Sequence, residues 1–166
     1  LPDIRIVQFT DFPREAVGLD WLLQPNGALD ETQALATAVI MAFGTERRAE
    51  DTDILPDLID TDRKGWWGDL DAAEIWDGWP VGSRFWLMRR DKIVGPEALQ
   101  GSTIARAEAY AYECLTPLVE KRIASRVHAV ASRRGLHTIV VDVTIYRGPD
   151  EPIALRFEGL WDEITR

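Results

Sequence analysis

The sequence predicts an α+β fold: an antiparallel β-meander packed against two main α-helices, preceded by an N-terminal extended segment or hairpin. Three observations lead there. The last third of the chain carries three runs of alternating apolar and polar residues, separated by Arg133-Arg134-Gly135 and Gly148-Pro149-Asp150. Connections that short join antiparallel neighbours. Two earlier stretches repeat apolar residues at helical spacing, one ending at Phe43 and one running through Cys114. Residues 1–166 suit one domain of ordinary size with a real hydrophobic core.

Taken in order, Ile4–Phe9 alternates weakly and reads as a strand, and Val17, Leu19, Trp21 and Leu23 share one face of a second extended segment. Pro25-Asn26-Gly27 is a turn signal. Asp30 is placed to cap the first helix, with Gln33 able to reach back to it. Leu35, Val39 and Phe43 line one stripe of that helix, Ala36 and Ile40 lie beside it, and Gly44 is placed to end it in the left-handed conformation. Residues 45–65 are polar and acidic and read as a loop; residues 66–80 are also irregular. The run Phe85-Trp86-Leu87-Met88 is ambiguous between a buried strand and a short helix. Gly95-Pro96-Glu97 is a helix-start signature, with Ser102 a second candidate start. Ile104, Ala107, Ala111, Cys114, Leu115 and Leu118 form the second helical stripe, which Pro117 should kink or end. The strands follow at 122–131, 137–145 and 153–158. In the middle one Ile139, Val141, Val143 and Ile145 oppose Thr138, Asp142 and Thr144.

The 46% apolar and 28% charged content is that of a soluble globular protein, and no apolar run reaches the length of a membrane span. The start of the chain shows no secretory-leader pattern. A single cysteine, Cys114, excludes an intramolecular disulfide and a cysteine-based metal site. The net charge of −9 is uneven: seventeen acidic and six basic residues fall in 1–83, eleven and thirteen in 84–166. An acidic half argues against nucleic acid, which needs Lys and Arg to replace phosphate counterions. It permits steering onto a basic protein neighbour.

Five of the seven tryptophans lie between Trp66 and Trp86, in a segment rich in Gly, Asp and Pro. Aromatic surface on an irregular segment must fold back onto the body or meet a partner, and tryptophan is the residue most enriched at binding hot spots. Trp66 and Trp67 stand between Gly65 and Gly68, which suggests backbone angles or close approaches that a side chain would block. One of the two rings is expected against the first helix and the other in solvent. The chemical readings are weaker. Asp60 to Asp71 mimics a calcium loop, but Lys64 stands where an oxygen ligand is needed. His128 and His137 lack a third ligand at recognisable spacing. Asp69 and Glu74, beside several tryptophans, are the sharpest enzyme candidate, as the two carboxylates of a lysozyme-like glycoside hydrolase. No cofactor is expected.

A helix ending in Phe43-Gly44-Thr45-Glu46-Arg47-Arg48-Ala49, an acidic loop, DRKGWWGD at 62–69, GSRFWLMRR at 82–90, an Ala/Glu-rich helix and a final run of strands form a specific order. Over roughly residues 20–160 it resembles the Mu-like prophage baseplate protein family, a small wedge component of contractile tails. That family is similar to the sheath-initiating wedge protein of T-even phages and contractile injection systems. The resemblance implies a virion structural protein, assembled in the host cytoplasm into the tail baseplate, with no catalytic or metal site. The implied partners are other baseplate wedge subunits and the tail sheath protein, with no nucleic acid and no membrane. It also favours a short helix at 85–88. The lineage's Glu-Pro-Arg corner, which docks on the wedge's helical core bundle, corresponds to Glu120-Lys121-Arg122, with Lys for Pro. Its Gly-Glu-Arg turn corresponds to Thr45-Glu46-Arg47. Sheath subunits in the lineage join by strand exchange, which directs attention to Leu155 and Arg156 on the last strand; Ile4–Phe9 is placed to cover one sheet edge within the chain. The expected partner-binding residues are therefore Trp66, Trp67, Glu120, Arg122, Leu155 and Arg156. Besides the hydrolase, an adaptor for a toxin or regulator remains open.

Overall fold

The computed structural model describes residues 6–11, 16–21, 23–28, 34–57, 59–75, 77–89, 102–135, 138–148 and 152–157. Contacts divide the chain into two compact units, Leu1–Met41 and Ala42–Arg166.

The first unit holds an antiparallel hairpin of β1 (Ile6–Asp11) and β2 (Ala16–Trp21), with Ile6 opposite Trp21 and Asp11 opposite Ala16. The expected N-terminal hairpin is therefore present, and β1 pairs with β2 in a two-stranded sheet hydrogen-bonded separately from the meander, not as the expected extra strand of that sheet. A ladder between chain neighbours closes a short loop, which is entropically easier than pairing with a distant strand. The Pro25-Asn26-Gly27 turn is closed by Gly27 N–H donating to the Gln24 carbonyl at 2.9 Å, while Asn26 Oδ1 accepts from Ala28 N–H at 2.9 Å. Helix α1 (Ala34–Gly44) buries Ala36, Val39, Ile40 and Phe43, the stripe its spacing predicts. The expected Asp30–Gln33 cap and the Gly95-Pro96 start lie outside the described residues.

One expectation for α1 fails. Gly44 does not have positive φ. The Phe43 carbonyl is capped instead by the Ser83 hydroxyl at 3.0 Å. The chain then bends at Thr45 and forms an isolated bridge from Glu46 to Ser83.

In the second unit, β3 (Arg126–Arg134), β4 (Thr138–Tyr146) and β5 (Ile153–Phe157) form the expected antiparallel meander, in the order β3-β4-β5. Ile139, Val141, Val143 and Ile145 of the central strand are all but sealed from solvent. Helix α3 (Ser102–Glu120) lies on β3 and β4, burying Ala107, Ala111, Cys114, Leu115 and Leu118. Small alanines on both surfaces, including Ala129 and Ala131 of β3, allow the close approach. Pro117 sits inside the last turn and α3 ends three residues later. The first meander strand starts at Arg126, not at 122: residues 121–124 are spent turning the helix into the sheet, and Ile123 is half exposed.

Between these elements lie a short helix α2 (Ala72–Ile75) and two 3-10 turns, Trp67–Asp71 and Phe85–Met88. The second is the short helix that the resemblance favours, and all four of its side chains are buried. It anchors an aromatic ladder: Phe157 stacks on Phe43 at 4.3 Å, Phe43 meets Phe85 at 5.2 Å, and Phe85 meets Tyr110 edge-on at 6.3 Å. The ladder ties β5, the end of α1, the turn and α3 into one core.

Candidate partner-binding site

The tryptophan loop is built on the segment that follows α1. Arg47 N–H donates to the Ser83 carbonyl at 3.0 Å and Ser83 N–H donates to the Thr45 carbonyl at 2.9 Å. On the other side Ala49 N–H donates to the Arg63 carbonyl at 2.9 Å. Trp86, 7% exposed, donates its indole N–H to the Arg47 carbonyl at 2.8 Å. Residues 45–49 are thus a spine with 82–86 on one side and 63–65 on the other. The Thr45-Glu46-Arg47 turn is structural in this arrangement. Glu46 pairs with Lys64 at 3.5 Å and with Arg89.

The acidic loop is stitched by its own carboxylates. Asp57, Asp60 and Asp62 each accept from the backbone N–H two residues on. Arg63 reaches back to the carbonyls of Glu50 and Asp51. Lys64 and Gly65 then both take positive φ, 57° and 116°, and swing the chain so that the tryptophans project. Gly68 is required for a different reason. A Cβ there would sit 2.4 Å from the Trp66 ring, so the indole lies directly on the Gly68 backbone. Trp66 is half-buried, with its ring over the backbone of its own loop. Trp67, 5.3 Å away between ring centroids, is 79% exposed.

Leu70, which sequence reasoning missed, is 88% exposed. It follows Trp67 by three residues on a 3-10 turn, where such side chains eclipse, so the two apolar groups stand on one side. The signal was the three-residue spacing, hidden because the turn type is not legible from composition. Asp69, between them, faces the other way: its Oδ1 accepts from Val81 N–H at 3.1 Å, and its Oδ2 is buried with no partner among the described residues. Glu74 is exposed on α2. Asp69 thus serves as a clamp between the 3-10 turn and residue 81. Of the other tryptophans, Trp79 is half-buried, and Trp76 lies outside the described residues.

Behind the loop, Arg84 donates to Asp53 at 2.7 Å and Glu113 at 2.9 Å and lies 5.2 Å over the Tyr110 ring. Arg47 pairs with Glu113 at 3.1 Å. Burial alone would lower the Arg84 pKa, but Glu113 and Asp53 together outweigh it and the pKa is raised. This network fastens the acidic loop to α3. Among the described residues no group of three or more His, Cys, Asp or Glu is arranged to hold a metal, and no helix is long and apolar enough to cross a membrane. His137 lies outside the described residues, and His128 Nδ1 sits 3.3 Å from the Tyr112 hydroxyl. Cys114 is buried, and burial pushes its thiol pKa far up, which leaves it inert.

The corner at Glu120-Lys121-Arg122 ends α3 in a Schellman motif. Ile123 N–H donates to the Leu118 carbonyl at 2.9 Å and Arg122 N–H to the Val119 carbonyl at 3.0 Å. The residue between, Arg122, has φ 58°, where glycine is the usual occupant. A side chain there costs about 1–2 kcal/mol. Glu120 and Arg122 are both exposed, and neither is ion-paired among the described residues; Lys121 pairs with Asp77.

The two edges of the meander differ. Two amides of β3 are covered by α3: Ala129 N–H donates to the Tyr112 hydroxyl at 3.1 Å and Ala131 N–H to Glu108 Oε1 at 3.0 Å. No side chain among the described residues is seen to cover β5 in this way. In its ladder Leu155 is opposite Val143 and Arg156 opposite Asp142, with Arg156 Nε donating to Asp142 at 2.6 Å. The structure therefore separates the predicted residues into three places: Trp66 and Trp67 on the loop, Glu120 and Arg122 at the corner, and Leu155 and Arg156 on β5.

The family model described as "Phage protein GP46" matches residues 35–152, which span every one of these features except β5 and the N-terminal hairpin. The chain is similar to "Baseplate protein gp46" of Escherichia phage Mu, with 42% identity over 60% of this chain and 59% of that protein. It is also similar to "Mu-like prophage FluMu protein gp46" of Haemophilus influenzae, with 28% identity over 68% of this chain and 67% of that protein. The match thus spans less than two thirds of the Mu protein's length. The chain belongs to the phage protein GP46 family.

Proposed function

We propose that this protein is a structural subunit of a contractile-tail baseplate, a wedge component that works by docking and carries out no reaction. The observation that carries the reading is the pair Trp67 and Leu70, 79% and 88% exposed on one side of a turn held by the Gly68–Trp66 contact and the Asp69 clamp. Large apolar side chains kept rigid in water lose little conformational freedom on association, which favours a permanent interface. The name of the Mu relative supports the baseplate assignment. On this reading Trp67, with Trp66 behind it, meets a neighbouring wedge subunit, and Glu120 and Arg122 form a second contact. The strain at Arg122 supports a role for its side chain that glycine would not fill. The β5 edge at Leu155–Arg156 is the one proposed to accept a strand of the sheath protein, because α3 covers amides of β3. The location implied is the virion tail, after assembly in the host cytoplasm.

The test is complementation of tail assembly in a host strain lacking this gene. Trp67→Ala combined with Leu70→Ser should yield a soluble, folded chain that fails to support tails. Normal tails with that double variant would remove the loop from the interface. Peptidoglycan cleavage that disappears in Asp69→Asn or Glu74→Gln would replace docking by hydrolysis.

A further inference from the structure

The corner where α3 turns into β3 opens into a cleft of about 530 Å³. Arg122 and Arg147 line it, together with Val119 and Ile123, and among the described residues no carboxylate does. Ile123 is 50% exposed and Val119 37%. Ser125 brings the two arginines to the same place: its N–H and hydroxyl both donate to the Tyr146 carbonyl, at 2.7 and 2.9 Å, and its oxygen accepts from Gly148 N–H at 3.2 Å. The residue before Arg147 and the residue after it are thus bolted to the corner that carries Arg122. Neither arginine is ion-paired among the described residues. The corner therefore brings two guanidinium groups together beside exposed aliphatic side chains.

We infer that this cleft binds a protein segment that presents carboxylates between aliphatic side chains, the carboxylates meeting Arg122 and Arg147 and the aliphatic groups covering Ile123 and Val119. The charge complementarity selects an acidic segment, because a basic one would face two guanidinium groups with nothing to pair to. The aliphatic floor selects protein over nucleic acid, whose backbone offers no apolar side chain. A simpler role for Arg122, complementing the negative end of α3, does not require φ 58°, since a cation elsewhere in the last turn would serve as well. Glu120 lines the neighbouring cleft, on the other side of Val119, together with Arg126.

The inference rests on the docking role proposed above and names the chemistry of one partner. It is tested on the purified full chain, labelled with 15N and titrated with a short blocked peptide alternating Glu and Leu. Its Lys/Leu counterpart and a single-stranded oligonucleotide serve as controls. The expected result is amide shifts at Val119, Arg122, Ile123 and Arg147 with the acidic peptide alone, weakening as salt is raised. Affinity should fall about tenfold or more in the Arg122→Gly, Arg147→Ala double variant. Arg122→Gly keeps the backbone turn, so the variant remains folded and the loss reports on side chains. Absence of shifts at these residues, unchanged affinity in the double variant, or tighter binding of the oligonucleotide at the same residues would overturn the inference. Such a failure leaves the baseplate reading standing. Normal tails without the protein would remove that reading and leave this result intact.

Discussion

Replacing Trp67 and Trp86 one at a time tests how the tryptophan cluster divides between core and surface. Trp86 is 7% exposed, sits in a cluster with Ala49 and Leu87 and with Leu55 and Tyr110 packed on it, and donates its indole N–H to the Arg47 carbonyl at 2.8 Å. Truncating a buried Trp to Ala costs about 3–5 kcal/mol in lost transfer energy and cavity. Trp86→Phe keeps much of the ring but leaves the Arg47 carbonyl without its donor, worth about 1–3 kcal/mol. Trp67, 79% exposed, has little to lose, and Trp67→Ala should change stability by no more than about 0.5 kcal/mol. For a chain of this size each kcal/mol moves the melting temperature by about 2–4 °C. Trp86→Ala should therefore melt roughly 6–20 °C below the parent, with Trp86→Phe between and Trp67→Ala within about 2 °C. Thermal and urea unfolding followed by far-UV circular dichroism avoids relying on the fluorescence being deleted. If Trp67→Ala lost more than about 2 kcal/mol, its ring would belong to the core, and the contact surface built on it would be refuted.

Other outcomes follow from single contacts. Gly68→Ala puts a methyl within 2.7 Å of three Trp66 ring atoms, so the indole must move, at about 1–3 kcal/mol; the Trp66 indole resonance should shift, and an unmoved resonance would contradict the packing. Tyr112→Phe removes the hydroxyl that accepts from Ala129 N–H, costing about 1 kcal/mol, and should speed hydrogen exchange at Ala129 while leaving β4 amides protected. The Asp77 carboxyl is held below its ordinary value by its hydrogen bond to Lys121 and then by that residue's charge. A lowered pKa in the folded state contributes stability above the unfolded value of 3.8, lost as pH falls through the folded value. In an NMR titration Lys121→Ala should move the Asp77 midpoint back up toward that value, and an unchanged midpoint would show that the pair does not form in solution.

Much of the architecture is legible in the chain itself. Period-two runs with short connections determine the meander, because a strand with one buried face must alternate: Ile139, Val141, Val143 and Ile145 are buried as their spacing demands. Helical spacing likewise determines the buried faces of α1 and α3, and the order of motifs identifies the family. What the sequence does not contain is which partner each irregular residue finds. Gly44 has the identity of a left-handed cap, but Ser83, forty residues away in the pairing with Phe43, supplies the cap instead. Ile123 has the pattern of a strand residue, yet it is drawn into the turn that closes α3. The five clustered tryptophans look alike as letters. Tertiary structure alone separates Trp86, whose indole is satisfied by a carbonyl on the spine, from Trp67, which has Leu70 beside it and water in front. Periodic segments are determined locally because burying one face repeats the same constraint every turn or every second residue. Loops are decided globally because each of their hydrogen bonds closes to a single distant group.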